Sequence, residues 1–508
     1  MRKTWLFVIV LITLPNLLRI AAKPATPHPE RTRRYLLDND GNNLFRRLTL
    51  DAEELRWEVE QCPAAITTYL ICPNWRGKFF YPCKVGEPAP DEIAPTFWET
   101  VRRGGDPLGD FIAKLKATGR EVFITYRMND VHNATDPDNP GRSLFKSQHL
   151  EWIVDADIPV ENRRWMSYCL DYNQPEVRAY YLASLRDLAQ RYDVDGFQLD
   201  WMRFPRHLKG KSPEEIWAKR DALTQFVAST RTMLDEIGRQ RNKRILLAVR
   251  IPTTPEGCRN LGCDLPQWTQ KRLVDFITAA PFLTTDFVIP FQAFREWIGS
   301  QSMPIYAGAD MNHGGRIHTP ESYRGWALSM HDQGADGLNV FNVPCYAERI
   351  DESPYYWVAD LNDPQKLTRQ PTLYTLPSNI HRVAGIDQTA PLPITLEPGQ
   401  SAERSLHLPA AALPASHARL LIAADGVGLQ PTVNGQKLAR PRSKRPPNIF
   451  PPFLTERVIP REPAKDHGHV YRLSPQILRS GPNILSFTNA SDSKLTIERV
   501  DLGFWYNE

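Results

Sequence analysis

The chain has 508 residues, which is more than one ordinary domain needs and predicts two domains. Apolar residues make up 42 % of it, enough for a sizeable core, and charged residues make up 24 %, an ordinary share. The formal net charge is +4 and no basic tail is present, so the sequence gives no electrostatic basis for binding nucleic acid.

The first 25 residues have the pattern of a secretory signal peptide. Arg2 and Lys3 supply the basic start, and the apolar run at 5–14 is too short to span a bilayer. Small residues suited to cleavage follow at Ala22 and Ala25. We therefore expect a secreted or periplasmic protein whose mature chain has no transmembrane span. The alternative is an uncleaved membrane anchor.

Between residues 30 and 370, strand patterns alternate with helical ones. One helix is predicted from Ser212 to about Arg239, with Ser212 as its cap. The predicted strands lie at 35–37, 65–72, 121–126, 196–200, 244–249, 285–290, 303–308 and 337–342. Residues 274–277 are interpreted as a turn into an outer element. This alternation predicts a parallel sheet closed into a (β/α)8 TIM barrel.

Beyond Lys366 the helical periodicity disappears. Short β-type runs there are separated by Gly, Pro, Asn and Ser, which is typical of antiparallel sheets. We therefore predict a C-terminal antiparallel β-sandwich over residues 375–508, interrupted by an irregular Pro- and Arg-rich loop at 440–465.

The fourth predicted strand ends in a carboxylate, Asp200. The loop after it carries Trp201, Arg203 and Phe204. Because the carboxyl ends of the strands carry the chemistry in this fold, an acid, a cation and aromatics gathered there indicate a carbohydrate site. The alternative is structural, with Asp200 acting as a helix cap or as the salt-bridge partner of Arg203.

Polar side chains also end the other predicted strands. Strand three is followed by Asn129, Asp130 and His132, which suit sugar hydroxyls, although an Asx-turn would explain the first two. The polar residues that end the fifth to eighth strands are Arg250, Gln292, Asp310 and Asn342.

The segment from Asp195 to Pro205, DGFQLDWMRFP, resembles the strand-four motif of the glycosyl-hydrolase-like 10 family of secreted bacterial barrel proteins. Segments 126–132, 248–255, 306–310 and 333–342 resemble its strands three, five, seven and eight, so the resemblance covers about residues 35–370. It implies an O-glycosyl hydrolase. The motif also resembles the chitinase-type family 18 signature, but Gln198 replaces an acid and Met202 the catalytic Glu, which argues against a substrate-assisted mechanism.

Glycoside hydrolysis needs two carboxyl groups. A parallel with retaining barrel glycosidases implies that they lie at the ends of strands four and seven, which hold Asp200 and Asp310. The resulting hypothesis makes Asp200 the general acid/base and Asp310 the nucleophile or base, with Asp130 in reserve.

The remaining site residues are expected to bind the carbohydrate. Trp201 would stack on a sugar ring, and hydroxyls or an acidic group would be held by Asn129, Asp130, His132, Arg203, Arg250, Gln292 and Asn342. Arg203 and Arg250 together suit an anionic sugar, or they neutralise the acid cluster. No cofactor is expected, and no metal, because His132 with Asp130 is too small a ligand set.

A second function fits the same pattern. A catalytically inactive barrel could bind carbohydrate at the cell surface, and it would show one isolated carboxylate in its pocket. The two-carboxyl mechanism instead requires a partner within about 10 Å.

Overall fold

The computed structural model describes residues 33–46, 48–132, 134–136, 138–139, 141–313, 316–343, 356–439, 449–450 and 468–506. They belong to one compact unit. The predicted signal peptide, residues 1–25, lies outside the described residues. None of the described helices is long and apolar enough to cross a membrane.

Eight parallel strands of the described chain close into a barrel, which confirms the predicted barrel. Each strand pairs with its neighbours in chain order, and β8 pairs with β1. The strands are β1 (Tyr35–Asn39), β2 (Thr68–Ile71), β3 (Glu121–Arg127), β4 (Gly196–Asp200), β5 (Leu246–Ile251), β6 (Phe276–Ala279), β7 (Ile305–Ala309) and β8 (Leu338–Phe341).

Helices occupy the connections between the strands. They are α1 (Asn42–Arg46), α2 (Glu53–Gln61), α3 (Pro95–Arg102), α4 (Pro107–Ala117), α5 (Leu144–Gln148), α6 (Pro175–Arg191), α7 (Pro213–Ala218), α8 (Asp221–Gln240), α9 (Pro255–Leu261), α10 (Leu265–Gln270), α11 (Phe291–Ile298), α12 (Pro320–Asp332) and α13 (Pro364–Leu367). Several begin with a capping side chain followed by proline, a combination that satisfies a free backbone N–H and presets the first turn. Ser212, for example, accepts from the Glu215 N–H at 3.3 Å.

Two element predictions are wrong. The sixth strand is Phe276–Ala279, not residues 285–290. The apolar residues of 285–290 alternate, with Phe287 and Ile289 buried and Val288 exposed, which suits a covering loop better than a strand buried on both faces. The predicted long helix is two helices, α7 and α8, which are separated at residues 219–220.

The barrel interior changes from apolar to polar along the strands. An apolar cluster inside the barrel consists of Leu36, Leu70, Phe123, Ala248, Phe276 and Tyr306. Because side chains on one face recur every second residue, Asp38 follows Leu36 into the interior, Arg250 follows Ala248, and Asp310 lies four residues after Tyr306. The strand pattern itself therefore brings ionisable groups to the carboxyl end of the barrel.

Two antiparallel sheets follow the barrel, which confirms the second half of the predicted fold class. The first has the order β9-β17-β12-β15, with β10 also paired to β17, and the second has the order β11-β16-β13-β14. Their strands are β9 (Thr372–Thr375), β10 (Ile394–Leu396), β11 (Ser401–Leu408), β12 (His417–Ala424), β13 (Leu429–Val433), β14 (Gln436–Lys437), β15 (Gly468–Leu473), β16 (Gly481–Asn489) and β17 (Leu495–Trp505).

The sheets pack closely against the barrel. A Cβ atom added to Gly325 in α12 would lie 2.3 Å from the carbonyl oxygen of Leu373 in β9, so only glycine allows this approach. In addition, the Arg316 guanidinium forms two hydrogen bonds to the Asp501 carboxylate on β17, at 2.8 and 3.0 Å. Arg316 belongs to the loop that follows Asp310, so the last strand of the sandwich holds a barrel loop.

Candidate active site

Asp200 ends β4 in a fully paired environment. Its Oδ1 atom accepts from the backbone N–H of Met202 at 2.9 Å and of Arg203 at 3.0 Å. Nη1 of Arg250, at the end of the neighbouring β5, lies 3.1 Å from both carboxylate oxygens. All these partners are donors, which is the environment of an ionised carboxylate. Oδ1 has three donors and Oδ2 one, so Oδ2 is the oxygen with room for a further contact.

Asp310, after β7, lies in a contrasting environment. It is 1 % exposed, and its only hydrogen bond to a side chain within the described residues is a long one, 3.4 Å from Asn312 Nδ2 to Oδ1. Its Oδ2 atom has no hydrogen-bond partner there. Burial raises the pKa of Asp310 to about 6, against the attraction of Arg203 and Arg250. The protonated form of this carboxyl group is therefore accessible near neutral pH.

A third carboxyl group, Asp38 on β1, was not predicted as a site residue. Its Oδ2 accepts from Gln198 Nε2 at 2.9 Å, and its Oδ1 has no hydrogen-bond partner among the described residues. Burial, and then the charge of Asp200, raise the pKa of Asp38 to about 7. The sequence held a signal for it, because Asp38 follows Leu36 by two residues on a strand.

Gln198 forms a polar floor beneath these acids. Besides Asp38, its Nε2 donates to Thr125 Oγ1 at 3.0 Å, and its Oε1 accepts from Thr278 Oγ1 at 3.3 Å. These contacts join β1, β3, β4 and β6 across the barrel. The neutral amide therefore occupies the place where the chitinase-type signature has an acid, and it fixes the orientation of Asp38.

Asp130 belongs to a second buried network. Arg127 pairs with Asp130 at 2.8 Å and with Asp40 at 3.1 Å, and His132 Nδ1 lies 2.6 Å from Asp130 Oδ1. Although burial acts to raise it, His132 and then Arg127 and Arg203 hold the pKa of Asp130 well below its usual range. Asp130 is thus an ionised structural partner. Across the described residues, no group of three His, Cys, Asp or Glu side chains is arranged to hold a metal ion.

Two predicted binding residues have structural roles instead. Asn129 donates to the carbonyl oxygens of Leu170 and Arg206, at 3.2 and 2.9 Å, and accepts from the Leu170 N–H at 3.0 Å, so its amide ties two loops together. Trp201 is 0 % exposed and packs against Tyr172 and other aromatic side chains. A fully buried ring offers no face to a sugar, so the predicted stacking role of Trp201 is corrected.

Gln292 is not among the residues that the structure brings together around Asp200, Asp310 and Asp38. It lies on the exposed side of α11, where its Nε2 donates to Glu296 Oε1 at 2.9 Å. The expectation depended on the misplaced sixth strand. Since β6 ends at Ala279, Gln292 does not end a strand, and its predicted role in binding the substrate is corrected.

Asn342 and Phe204 have left-handed backbones beside the acids, a conformation that is strained for phenylalanine and common for asparagine. Their φ angles are +56° and +55°, in the left-handed region that side chains other than glycine and asparagine rarely adopt. The Asn342 N–H donates to the carbonyl oxygen of Asp38 at 2.9 Å, and both side-chain amide atoms are buried without a hydrogen-bond partner in the described part of the chain. Strain like that at Phe204 often marks functional sites. The amide of Asn342 is available to a ligand.

Trp165 provides an exposed aromatic surface next to this region. Its side chain is 40 % exposed, and its ring lies 4.9 Å from Phe204 and 6.1 Å from Phe282, measured between centroids. Phe204 in turn packs edge-on against His132 at 4.7 Å. Trp165 therefore lies beside Phe204, in the loop that follows Asp200. No motif in the sequence distinguished it from Trp152, the other tryptophan of the long loop between the third and fourth strands.

No family model matches the chain, and no curated protein matches it either. Among solved structures, the chain is similar to the PgaB (BpsB) glycoside hydrolase domain from Bordetella bronchiseptica, at 12 % identity and a TM-score of 0.43, over 66 % of this chain and 97 % of that one.

Two further solved structures resemble the chain. One is α-L-fucosidase isoenzyme 2 from Paenibacillus thiaminolyticus, at 12 % identity and a TM-score of 0.42, over 66 % of this chain and 49 % of that one. The other is the noncanonic maltogenic α-amylase AmyB from Thermotoga neapolitana, at 13 % identity and a TM-score of 0.39, over 90 % of this chain and 99 % of that one. These scores carry no argument about the reaction. The chain is similar to glycoside hydrolase barrels and is assigned to no specific family.

Proposed function

We propose that the chain is a glycoside hydrolase that cleaves an oligo- or polysaccharide with the carboxyl groups at the C-terminal end of its barrel. The observation that carries this proposal is the contrast between Asp200 and Asp310. Asp200 is held as a carboxylate by Arg250, whereas Asp310 is buried without an ion pair among the described residues and titrates near pH 6. Two carboxyl groups in such different environments, one ion-paired and one not, suit the acid and base roles of glycoside hydrolysis.

The proposed roles follow from these environments. Asp310 protonates the leaving oxygen as general acid, because its neutral form is accessible near neutral pH. Asp200 is the nucleophile or base, acting through Oδ2, the less occupied oxygen. This is the reverse of the roles expected from the sequence, although the pair is the same.

Buried polar atoms near the acids supply groups for sugar hydroxyls. Within the described residues, hydrogen-bond partners are lacking for Asn339 Nδ2, for both amide atoms of Asn342 and for Arg203 Nε. Buried polar groups are usually paired, so a concentration of unpaired ones at one end of a barrel favours a ligand there. Trp165 adds an exposed aromatic face beside Phe204.

The alternative is a catalytically inactive barrel that binds carbohydrate. It predicts one isolated carboxylate. The described site instead has Asp200 beside Asp38, whose pKa responds to it, and Asp310, whose pKa responds to the same Arg250 that pairs with Asp200. This electrostatic coupling favours the enzyme.

We also propose that the protein is exported, to the periplasm or outside the cell. This rests on the basic and apolar pattern of residues 1–25. N-terminal sequencing of the protein recovered from a bacterial host would test it, and an intact cytoplasmic N-terminus would contradict it.

The decisive experiment is hydrolysis of a panel of aryl glycosides and of neutral and anionic polysaccharides. The full chain is compared with Asp200→Asn, with Asp310→Asn and with Asp91→Asn, a matched change at an exposed carboxylate paired with Arg102. We expect turnover of the polysaccharides to fall by at least about 100-fold in the first two variants and to be unchanged in the third. Saccharide binding without turnover on any substrate would support the inactive barrel instead.

A further inference from the structure

Arg203 is a buried cation without an anionic partner. Arg203 is 4 % exposed, and its Nε atom has no hydrogen-bond partner in the described chain. Its neighbours take the carboxylates instead, since Arg250 pairs with Asp200 and Arg127 with Asp130. Within the described residues, Arg203 forms no ion pair, which is costly for a charge removed from water.

The one side-chain hydrogen bond of Arg203 does not offset its charge. Nη2 lies 3.2 Å from Nε2 of His132, whose other nitrogen, Nδ1, lies 2.6 Å from Asp130 Oδ1. Burial lowers the pKa of His132 despite Asp130, which favours the neutral ring. With its proton on Nδ1 toward the carboxylate, Nε2 accepts from Arg203, and the guanidinium keeps its full charge.

The sequence left open that Arg203 only neutralises the acid cluster. In that case a carboxylate would face its free Nε. The oxygens of Asp130 are already hydrogen-bonded to Arg127 and His132, and burial favours the neutral form of Asp310. Arg203 therefore acts on both acids through space and still presents an open donor.

A cationic pocket adjoins His132. It is lined by Arg76, Arg142 and Lys146, with Asp130 and His132 in its wall. Arg76 stacks on the Trp75 ring at 3.9 Å, and its buried Nε also has no hydrogen-bond partner among the described residues. The only carboxylate in the lining is Asp130, which is already paired, so the pocket has an excess of positive charge.

We propose that Arg203, aided by the positive potential of this adjoining pocket, binds an anionic substituent of the saccharide, a carboxylate of a uronic acid or a sulfate ester. A guanidinium fork matches either group with two parallel hydrogen bonds. The inference deepens the proposed function and rests on it for the reaction, whereas the binding itself requires no turnover. A substrate anchored at the Arg203 guanidinium would also lie near Asp310, on whose carboxyl group that guanidinium acts electrostatically.

Binding to the full chain, measured by isothermal titration calorimetry, tests the proposal. The probes are oligogalacturonate, which carries only carboxylates, oligo-carrageenan, which carries only sulfates, and a neutral cello-oligosaccharide of equal length. We expect one or both anionic probes to bind at least about tenfold more tightly than the neutral one, with an affinity that falls as salt rises. The probe that binds more tightly identifies the anion.

The variants are Arg203→Gln and Arg76→Gln, with Arg102→Gln as the matched control at an exposed arginine. We expect Arg203→Gln to weaken binding of the anionic probe by about tenfold or more, Arg76→Gln to weaken it less, and Arg102→Gln to leave it unchanged. Thermal unfolding verifies that each variant is folded. Should Arg203→Gln not fold, selective loss of the anionic probe in Arg76→Gln decides.

Three results would overturn the inference. In the first, the wild-type chain binds the neutral probe as tightly as the anionic probes. In the second and third, Arg203→Gln is folded and either keeps its affinity for the anionic probe or loses affinity equally for the neutral and anionic probes. Anionic binding without cleavage would refute the proposed hydrolase and leave the inference standing. Cleavage of neutral saccharides alone, unaffected by Arg203→Gln, would refute the inference and leave the hydrolase standing.

Discussion

Nη1 of Arg250 lies 3.1 Å from both carboxylate oxygens of Asp200, and the side chains of both residues are 2 % exposed. The adjoining ends of β4 and β5 therefore share a fully buried ion pair. Removing one member of such a pair leaves an uncompensated charge in the protein interior, which costs more than the pair contributes when intact.

This relationship predicts the effect of Arg250→Met. The variant leaves the Asp200 carboxylate buried without its cation, so we expect the free energy of unfolding to fall by about 3–5 kcal/mol in urea titrations. The double variant Asp200→Asn/Arg250→Met removes both charges and should recover a large part of the loss. A double variant less stable than Arg250→Met would contradict this account.

The proposed roles predict how the leaving group affects the variants. In Asp310→Asn, kcat/KM should fall by about 100- to 10,000-fold for a substrate with a sugar leaving group, which must be protonated. It should fall far less for a dinitrophenyl glycoside, whose leaving group needs no proton. Asp200→Asn should abolish the hydrolysis of both. The opposite pattern would restore the roles expected from the sequence.

The same acid predicts a pH dependence of activity. Asp310 must be protonated to act, and its pKa is about 6, so kcat/KM should decrease as the pH rises above about 6. For a substrate with a sugar leaving group, this basic limb should be absent from the residual activity of Asp310→Asn, and for the dinitrophenyl glycoside it should be absent already in the wild type. A limb that persists in the variant would assign the titration to another group, with Asp38 as the first candidate.

Asp38 predicts a pH dependence of stability. Its pKa is about 7 in the folded chain and 3.8 in the unfolded one, so between these values the folded state binds more protons. The free energy of unfolding therefore falls as the pH rises through this window, by at most about 1.4 kcal/mol per pH unit from this group. Asp38→Asn should flatten the slope and be more stable than the wild type at pH 7.5.

Urea unfolding at pH 4.5, 6 and 7.5 measures this slope. Asp310 contributes with the same sign up to about pH 6, so Asp38→Asn should keep a residual slope below that pH. Asp91→Asn, at an exposed site, should leave the whole profile unchanged. An Asp38→Asn profile parallel to that of the wild type would show that Asp38 ionises normally.

Trp165 predicts a loss of substrate affinity without a loss of stability. Its ring is partly exposed beside Phe204, so Trp165→Ala should raise KM by about tenfold if a sugar stacks there, with little change in kcat. The unfolding midpoint should stay within a few degrees of the wild-type value, because the ring fills no core space. An unchanged KM for substrates of every length would remove Trp165 from the binding surface.

The strand ends were predictable from the sequence, and the burial of particular side chains was not. Asp200, Arg250 and Asp310 each follow an apolar run, and in a closed parallel barrel that position alone brings them to one end. Gln292 was misplaced because a half-buried loop has apolar residues as a strand does. Trp201 was misjudged because only tertiary packing decides whether a loop aromatic faces solvent or the core.

Asp38 was not predicted as a site residue, because the local sequence did not show that its side chain is buried in the barrel. The polar residues that follow it suggested a loop, whereas in the structure β1 continues to Asn39 and Asp38 points into the barrel. Its partner Gln198 was noticed only as a departure from a known motif. The hydrogen bond between them joins residues 160 positions apart, a separation that no local pattern reveals.

The two hydrogen bonds between Arg316 and Asp501 tie the last strand of the sandwich to the loop that follows Asp310. A chain cut before Leu495 would retain all eight barrel strands and still lose the anion that restrains the loop after Asp310. During synthesis, that loop therefore obtains its anchor almost 200 residues after the ribosome has made Asp310. The anchor of the loop after the proposed acid is thus made later than all eight strands of the barrel.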